Sequence, residues 1–446
     1  MRGKKYFFIG VAGSGMSAIA QYISKKGKIV TGSDRLFVRD PNHPIRKKLE
    51  DFGIKTFVQG EAEIDADTDF VVVSTAIEET VYEYKTAKEK GIPIIHRSDL
   101  LKEIADNSLS IAVAGTSGKS TTTAMIYTLL KKAGKQPSML NGSGLVELQE
   151  KGLIGNAAVG ESDILVFEAD ESDGSLVKYH PKVGLLLNID RDHKDLPVLM
   201  DIFQKFVNNT KTLITNKSNE NSKTFANNAE FDFGDNSNFV AKNIKQTFEG
   251  ISFSVNGKYF SIPVIGLHNI ENALAAISVT KFFGIGMEEC AKYLKEFRGI
   301  DRRMQIISNK NDVLVIDDYA HNPAKISSAI KSAKQLGKRA FAFFQPHGFG
   351  PLKFMKDDLL EILPMIMQKD DYFITTSVFY AGGTVEKDYT SEDFTRDLQN
   401  KNLNAIYFEN RDDFCKFLKK ATKKGDVVLI MGARDPFLGD FAKNCV

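Results

Sequence analysis

Ile111-Ala-Val-Ala-Gly-Thr-Ser-Gly-Lys-Ser-Thr-Thr-Thr123 is an apolar run that ends in a small, glycine-punctuated turn carrying a lysine and hydroxyls, and then opens a helix. A strand feeding such a turn builds a phosphate cradle. Gly115 and Gly118 let main-chain N–H groups approach an anion, Lys119 brings a point charge to the outer phosphates, and Ser120 offers a hydroxyl to Mg²⁺ at a helix N-terminus. The strict octet has a glycine where Val113 stands, so Gly-x-x-Gly-Lys-Ser is what remains, and a plain strand-to-helix turn with an exposed lysine is the competing reading. A nucleoside triphosphate is the expected ligand.

The chain has 446 residues, several times the usual span of one domain, which predicts two or three domains, each with its own core. Lys plus Arg (59) nearly balances Asp plus Glu (57) for a net charge of +2, which argues against a polyanion-binding surface and a nucleic-acid partner. Three widely spaced cysteines, odd in number and without a C-x-x-C pair, suit a reducing compartment and offer no metal framework. The apolar run after Met1-Arg-Gly-Lys-Lys is too short for a signal segment, and no stretch of about 18 apolar residues follows. A cytoplasmic protein with no membrane partner, monomeric or weakly dimeric, is expected.

From Tyr6 to His96, short apolar runs (Tyr6 to Val11, Ile29 to Gly32, Phe70 to Thr75, Ile92 to His96) alternate with amphipathic stretches (Ser17 to Lys26, Tyr82 to Lys90), the pattern of a parallel sheet flanked by helices. A second series holds Ile111, Ile164 to Asp170, Val183 to Ile189 and Lys211 to Asn216, with a helix over Leu196 to Asn208. The polar tract 216–238 reads as loop. Period-two alternation from Ile251 to Pro263 around Asn256-Gly257 predicts a hairpin. A third series runs through Val313 to Ile316, Ala340 to Phe344, Tyr372 to Thr376, Ala405 to Phe408 and Val427 to Met431. The expected domains are 1–104, 105–299 and 300–446.

Gly10-Val-Ala-Gly-Ser-Gly15 follows the first strand, and Asp34 ends the next. The spacing is G-x-x-G-x-G, so a nicotinamide cofactor is one reading and a UDP group on the same helix N-terminus is another. In the second series Glu168, Asp170, Glu171 and Asp173 follow one strand and His193 follows the next. If the strands are neighbours, their tips bring carboxylates and an imidazole to the phosphate turn, where they would complete a metal site begun by Ser120. A solvated strand end and a turn residue are the plain alternatives.

Gly115-Thr-Ser-Gly-Lys-Ser-Thr-Thr-Thr123, Glu168-Ala-Asp-Glu-Ser-Asp173, Asn188-Ile-Asp-Arg-Asp-His193, Gly266-Leu-His-Asn-Ile-Glu-Asn-Ala273, Arg302-Arg303 and Asp317-Asp-Tyr-Ala-His-Asn-Pro323 occur in an order that resembles the successive signatures of the Mur ligases over nearly the whole chain. The resemblance implies an α/β fold of three domains: a Rossmann-like N-terminal domain, a central P-loop ATPase-type parallel sheet with added antiparallel strands, and a Rossmann-like C-terminal domain. It implies an ATP- and Mg²⁺-dependent ligase that joins the lactyl carboxylate of UDP-N-acetylmuramic acid to an amino acid, L-alanine first, or to a peptide. A murein-tripeptide ligase, a member with another acceptor, and a non-catalytic nucleotide sensor are the alternatives.

Carried over by position, the resemblance implies that Gly115, Thr116, Gly118, Lys119, Ser120 and Thr121 hold the ATP phosphates, while Ser120, Glu168 and His193 serve the metal. Asn269 would contact the adenine side, or else cap its helix. Arg303 and Asp318 would close on the nucleotide, Asp318 on the ribose. The UDP-sugar would lie on Gly13, Ser14, Gly15, Met16, Ser17, Asp34, Ser74, Thr75 and Ala76, and the acceptor near His321 and His347. One departure stands out: Gln345-Pro-His-Gly348 carries glycine where the alanine-adding members carry an arginine to pair the acceptor carboxylate. Gly348 and Gly350 would admit a larger acceptor, or Arg434 would take over the charge.

Overall fold

Strands whose sequence is apolar at every position bury both faces, and such strands set the middle of each parallel sheet. The computed structural model describes residues 3–190, 195–380, 387–435 and 437–445. It divides into two compact units, one of Met1–Ile244, Ser252–Pro263 and His268–Asp301, the other of Lys245–Ile251, Val264–Leu267 and Arg302–Val446. Among the described residues, the first unit opens with β1 (Lys5–Ile9), β2 (Ile29–Asp34), β3 (Lys55–Val58), β4 (Phe70–Val73) and β5 (Ile94–His96), in the order β3-β2-β1-β4-β5. All four pairings are parallel. The chain reverses direction of travel across the sheet between β1 and β4, which opens a crevice at their carboxyl ends.

The second sheet holds β6 (Leu109–Ala114), β7 (Ser138–Leu140), β8 (Ala157–Ala158), β9 (Ile164–Glu168), β10 (Val183–Leu186), β11 (Thr212–Asn216) and β12 (Phe231–Phe233), in the order β12-β11-β10-β6-β9-β7-β8. Only the β7–β8 pairing is antiparallel among those described. Ile111 to Ala114 in β6 are fully buried, as a central strand requires. The helix Leu196–Asn209 turns Leu199, Phe203, Phe206 and Val207 inward at i, i+4, i+7 and i+8, and each fully buried phenylalanine is worth about 2–3 kcal/mol. The helix His268–Phe282 is buried nearly all round, from Asn269 to Thr280 except at Glu271, and packs against the phosphate-turn helix Lys119–Lys132.

A three-stranded sheet follows, β13 (Ala241–Thr247), β14 (Gly250–Val255) and β15 (Lys258–Ile262). Its β14–β15 turn is the expected Asn256-Gly257, with φ of 47° and 78°. In the second unit β16 (Gln305–Lys310), β17 (Val313–Asp318), β18 (Ala340–Gln345), β19 (Tyr372–Thr376), β20 (Ala405–Phe408) and β21 (Val427–Gly432) take the order β16-β17-β21-β18-β19-β20, antiparallel only at β16–β17. One face packs Phe341, Phe343, Phe414 and Phe441 together; the other packs Phe344, Phe373 and Phe394.

Three expectations change. The polar tract 216–238 contains β12 and a 3-10 turn over Ser222–Asn228, because Phe231-Asp-Phe233 is too short an alternation to stand out beside so many asparagines. The expected break at 104/105 falls inside the helix Arg97–Asp106. Cys415 and Cys445 form a disulfide across 30 residues, against the expectation of free thiols suited to a reducing compartment, while Cys290 is buried beside the Thr280 hydroxyl at 3.1 Å. Among the described residues no helix is long and apolar enough to cross a membrane.

Within the first unit the helix Ser14–Lys25 packs on β7 and β8, and a buried amide stitches it there. Asn156 Nδ2 donates to the Ser14 carbonyl at 2.7 Å and to Ser17 Oγ at 2.8 Å, and its Oδ1 accepts Gln21 Nε2 at 2.9 Å. Ser17 and Gln21 have no exposed surface and Asn156 only 3%. Truncating Asn156→Ala strands buried polar partners and should cost about 2–4 kcal/mol. A lowered thermal unfolding midpoint in calorimetry is the expected result; an unchanged midpoint would show that the network carries no weight.

Candidate active site

The β6 strand ends at Ala114 between two parallel neighbours, so the turn after it is flanked by the ends of β9 and β10. Register pairs Val113 with Glu168 and Ala114 with Leu186. The expectation that both neighbouring tips reach the phosphate turn is therefore met for Glu168; His193 lies outside the described residues. Gly115 has a φ of 146°, and a Cβ there would stand 2.9 Å from Leu187 Cβ. Gly118 has a φ of 83°, and its Cβ would collide with Asn272 Oδ1. Both glycines answer to conformation and to crowding together.

Asn188, just past β10, clamps this turn. Its Oδ1 accepts Thr116 Oγ1 at 2.9 Å and the Ser117 amide at 2.8 Å, its carbonyl accepts the Thr116 amide at 3.1 Å, and its Nδ2 donates to the Ser117 carbonyl at 3.2 Å. Thr121 is buried in the first turn of the helix that follows. Lys119 Nζ donates to the Gly115 carbonyl and to Glu171 Oε2, each at 2.7 Å, with Asp170 at 3.5 Å. Burial opposes the lysine's charge, but Glu171, Asp170 and Glu168 outweigh it and raise its pKa, so Lys119 remains an ammonium. Burial pushes the Glu171 carboxyl up, with Lys119 pulling the other way.

Ser120 Oγ donates to Glu168 Oε2 at 2.8 Å, and the Gly142 amide donates to the same oxygen at 2.8 Å. A hydroxyl and a carboxylate oxygen beside a phosphate turn form a hard donor set, the kind Mg²⁺ takes together with phosphate oxygens and water. The described residues contain no cluster of three or more carboxylate, imidazole or thiol groups fit to hold a metal alone. Asn269 is 3% exposed and accepts Asn272 Nδ2 at 2.9 Å; Asn272 Oδ1 in turn accepts Thr122 Oγ1 at 3.1 Å. Asn269 is thus tied to the phosphate-turn helix through Asn272, a residue that sequence reading passed over.

At the first sheet, the β1 turn and Ser74, Thr75 and Ala76 after β4 flank the crevice; a Cβ on Gly10 would lie 3.4 Å from Ile77 Cδ1. Gly13 and Ser14 are exposed and Gly15 partly so, whereas Met16 and Ser17 are buried. Asp34 is 7% exposed, and its two oxygens accept the Ala12 and Leu36 amides, each at 2.8 Å. It braces the turn from within.

In the second unit the ends of β17, β21 and β18 lie side by side, with Asp318 in register with Met431 and Gln345 with Gly432. Asp318 accepts the Met304 amide at 2.7 Å and the Ala320 amide at 2.8 Å. The Arg302 and Arg303 guanidinium groups stack over the Tyr319 ring at 5.3 and 5.4 Å, and Arg302 also pairs with the buried Asp317 at 3.1 Å. His321 and His347 meet with ring centres 5.3 Å apart. Burial lowers the His321 pKa from 6.5 to about 4. Gly348 has a φ of 146° with Pro351 Cδ 3.1 Å from a built Cβ. Arg434 is exposed, and two other arginines reach these strand ends: Arg411 donates to Gln345 Oε1 at 2.6 Å and pairs with Asp435, and Arg302 Nη2 donates to the Gly432 carbonyl at 2.7 Å.

Three family models match the chain in succession: the Mur ligase family catalytic domain over residues 5–108, the Mur ligase middle domain over 113–280, and the Mur ligase glutamate ligase domain over 302–434. The UDP-N-acetylmuramate–L-alanine ligase of Dictyoglomus turgidum is 34% identical over 456 residues, covering 97% of this chain and 95% of its own. That of a Nostoc species is 34% identical over 478 residues, covering 97% and 94%. The crystal structure of the UDP-N-acetylmuramate-alanine ligase MurC from Thermotoga maritima superposes with a TM-score of 0.80 at 26% identity, over 99% of this chain and 98% of that one. A murein peptide ligase from Psychrobacter arcticus shares the fold, with a TM-score of 0.67 at 23% identity over the full length of both. With relatives of this identity aligned along nearly its whole length, and with the phosphate turn and its carboxylates in place, the chain belongs to the Mur ligase family.

Proposed function

We propose that the protein is an ATP-dependent ligase that joins the lactyl carboxylate of UDP-N-acetylmuramic acid to the amine of L-alanine in the synthesis of peptidoglycan precursors. The observation that carries this reading is the turn in which Lys119 stays charged among carboxylates while Ser120 and Glu168 share a hydrogen bond at its mouth. Residues 1–104 would hold the UDP-sugar, 105–299 the ATP and 300–446 the incoming amino acid. The work belongs in the cytoplasm, in a monomer or weak homodimer. A sensor of nucleotides would release no phosphate in response to a carboxylate and an amine together, which separates it from this reading.

A carboxylate does not react with an amine at neutral pH, so it must first be activated. A lactyl oxygen attacks the γ-phosphorus of ATP, the bond to the bridging β,γ-oxygen breaks, and ADP leaves. The amine then attacks the carbonyl carbon of the acyl phosphate, inorganic phosphate departs, and the nitrogen loses its proton to solvent. Lys119 and the amides of Gly115 to Thr121 would spread the charge of the transferring phosphoryl group, with Glu171 and Asp170 yielding the lysine to it. Ser120 and Glu168, together with His193, would hold Mg²⁺, which neutralises phosphate charge when bound. Asn269 would reach the adenine side and Asp318 the ribose, while Arg303 sits ready on Tyr319. At the acceptor end a neutral His321 beside His347 does not repel an ammonium group.

One observation favours a second acceptor: Gly348 cannot carry an arginine in its present conformation, so a peptide or a larger amino acid is the alternative substrate. Incubation with UDP-N-acetylmuramic acid, ATP and Mg²⁺ against a panel of amino acids and murein peptides, read by mass spectrometry, decides between them. L-alanine adduct is the expected product, and a preference for tripeptide would move the protein to the second reading.

Lys119→Met should lower substrate-dependent phosphate release by about a thousandfold or more, since both its charge and its aim are lost. Phosphate release that persists in this variant, or that needs neither carboxylate nor amine, would overturn the mechanism. His321 predicts a pH effect. Its folded value of about 4 lies below the ordinary 6.5, so the unfolded chain binds the proton more readily, and stability falls by about 3 kcal/mol as pH drops from 6.5 to 4. In His321→Asn that part of the acid loss should vanish from urea melts taken across the window; the same slope in both proteins would refute the assignment.

A further inference from the structure

We propose that Arg97 is a phosphate-binding residue for the sugar nucleotide, reaching the turn Gly13–Ser17 from the start of another helix. The proposal rests on the reading that this turn takes the UDP group. Arg97 opens the helix Arg97–Asp106 directly after β5, and His96 fixes that start by accepting the Ser98 amide at 3.2 Å on Nδ1. Its Nη2 donates to Asp173 Oδ2 at 2.9 Å, with the arginine side chain 22% exposed and Asp173 7%. Asp173 is held in turn by the Ser175 amide at 2.9 Å. The ion pair aims the guanidinium.

The other end of that group lies against Gly15. A Cβ built on Gly15 would come 2.7 Å from Arg97 Nη1. Gly15 is a helical residue without a positive φ, so its backbone does not call for glycine, and glycine in a helix costs about 1 kcal/mol against alanine. The space it leaves is filled by the arginine. A cation is thereby placed beside the first turn of the helix Ser14–Lys25, which carries no acidic residue and whose leading amides have no intrahelical acceptors. The guanidinium, with Nη2 on Asp173 and Nη1 toward Gly15, and the helix N-terminus converge on one spot, and the ligand they suit is a nucleoside diphosphate, which the amides and the planar guanidinium would grip together.

Calorimetric titration of the full chain with UDP and with uridine tests this. Arg97→Met should weaken UDP binding by about tenfold or more and leave uridine binding as it was, and Arg97→Lys should recover part of the loss. Asp173→Asn keeps the arginine and an oxygen acceptor to aim it, and should weaken UDP binding clearly less than Arg97→Met does. Gly15→Ala, which displaces the guanidinium without touching its charge, should weaken UDP binding and add little in the Arg97→Met background. Equal losses in Arg97→Met and Asp173→Asn would make Arg97 a purely structural ion-pair residue and overturn the proposal, as would UDP binding unaffected by Arg97→Met. No UDP binding by the parent protein would instead remove the assignment of the first domain, and the role of Arg97 with it.

Discussion

A buried ammonium must be surrounded by negative charge or give up its proton, and the central part of this protein is built around meeting that condition for Lys119. The lysine stands at the head of a helix, where the dipole is already positive, so only carboxylates close by keep it charged. They come from the segment that continues β9, and β9 can supply them because it is paired directly with β6. Glu171 and Asp170 neutralise the lysine while Glu168 turns to Ser120. Sheet order, the acidic run and the glycine turn are thus one constraint expressed three times.

The first unit also joins its two sheets by polar means. Asn156 bonds to Ser14, Ser17 and Gln21, and the Asn156 carbonyl accepts the Asn141 amide, whose own side chain donates to the Ser120 carbonyl at 3.2 Å. A short run of buried amides therefore leads from the turn after β1 to the phosphate turn after β6. Buried networks of this kind define one arrangement, because any slip leaves several donors without acceptors at once. Arg97 and Asp173 make a second, charged link between the same two regions.

Much of this was legible in the chain because parallel strands and phosphate turns have strong local signatures. The apolar runs before Gly10, Gly115 and Asp318 became β1, β6 and β17, and the Asn256-Gly257 hairpin followed from turn chemistry alone. The order of signatures pointed to the family. Residues that act by reaching across the fold were not legible: Asn188, Asn272 and Arg411 are ordinary polar side chains until strand order brings them to the turns they hold. Burial was not legible either: Met16 and Ser17 are buried beside the exposed Gly13 and Ser14, and the Asp34 carboxylate braces the backbone of the neighbouring turn. The Cys415–Cys445 pair joins residues on two separate helical segments, which no spacing rule anticipates.

The turn at Gly348 has an evolutionary consequence. Its main chain occupies a region closed to residues that carry a side chain, with Pro351 pressed against the place where one would begin. Replacing this glycine by arginine is therefore not a one-step event: the backbone would have to be redrawn before the new side chain could be accommodated, so the position is guarded by the shape of the chain as much as by the identity of one residue.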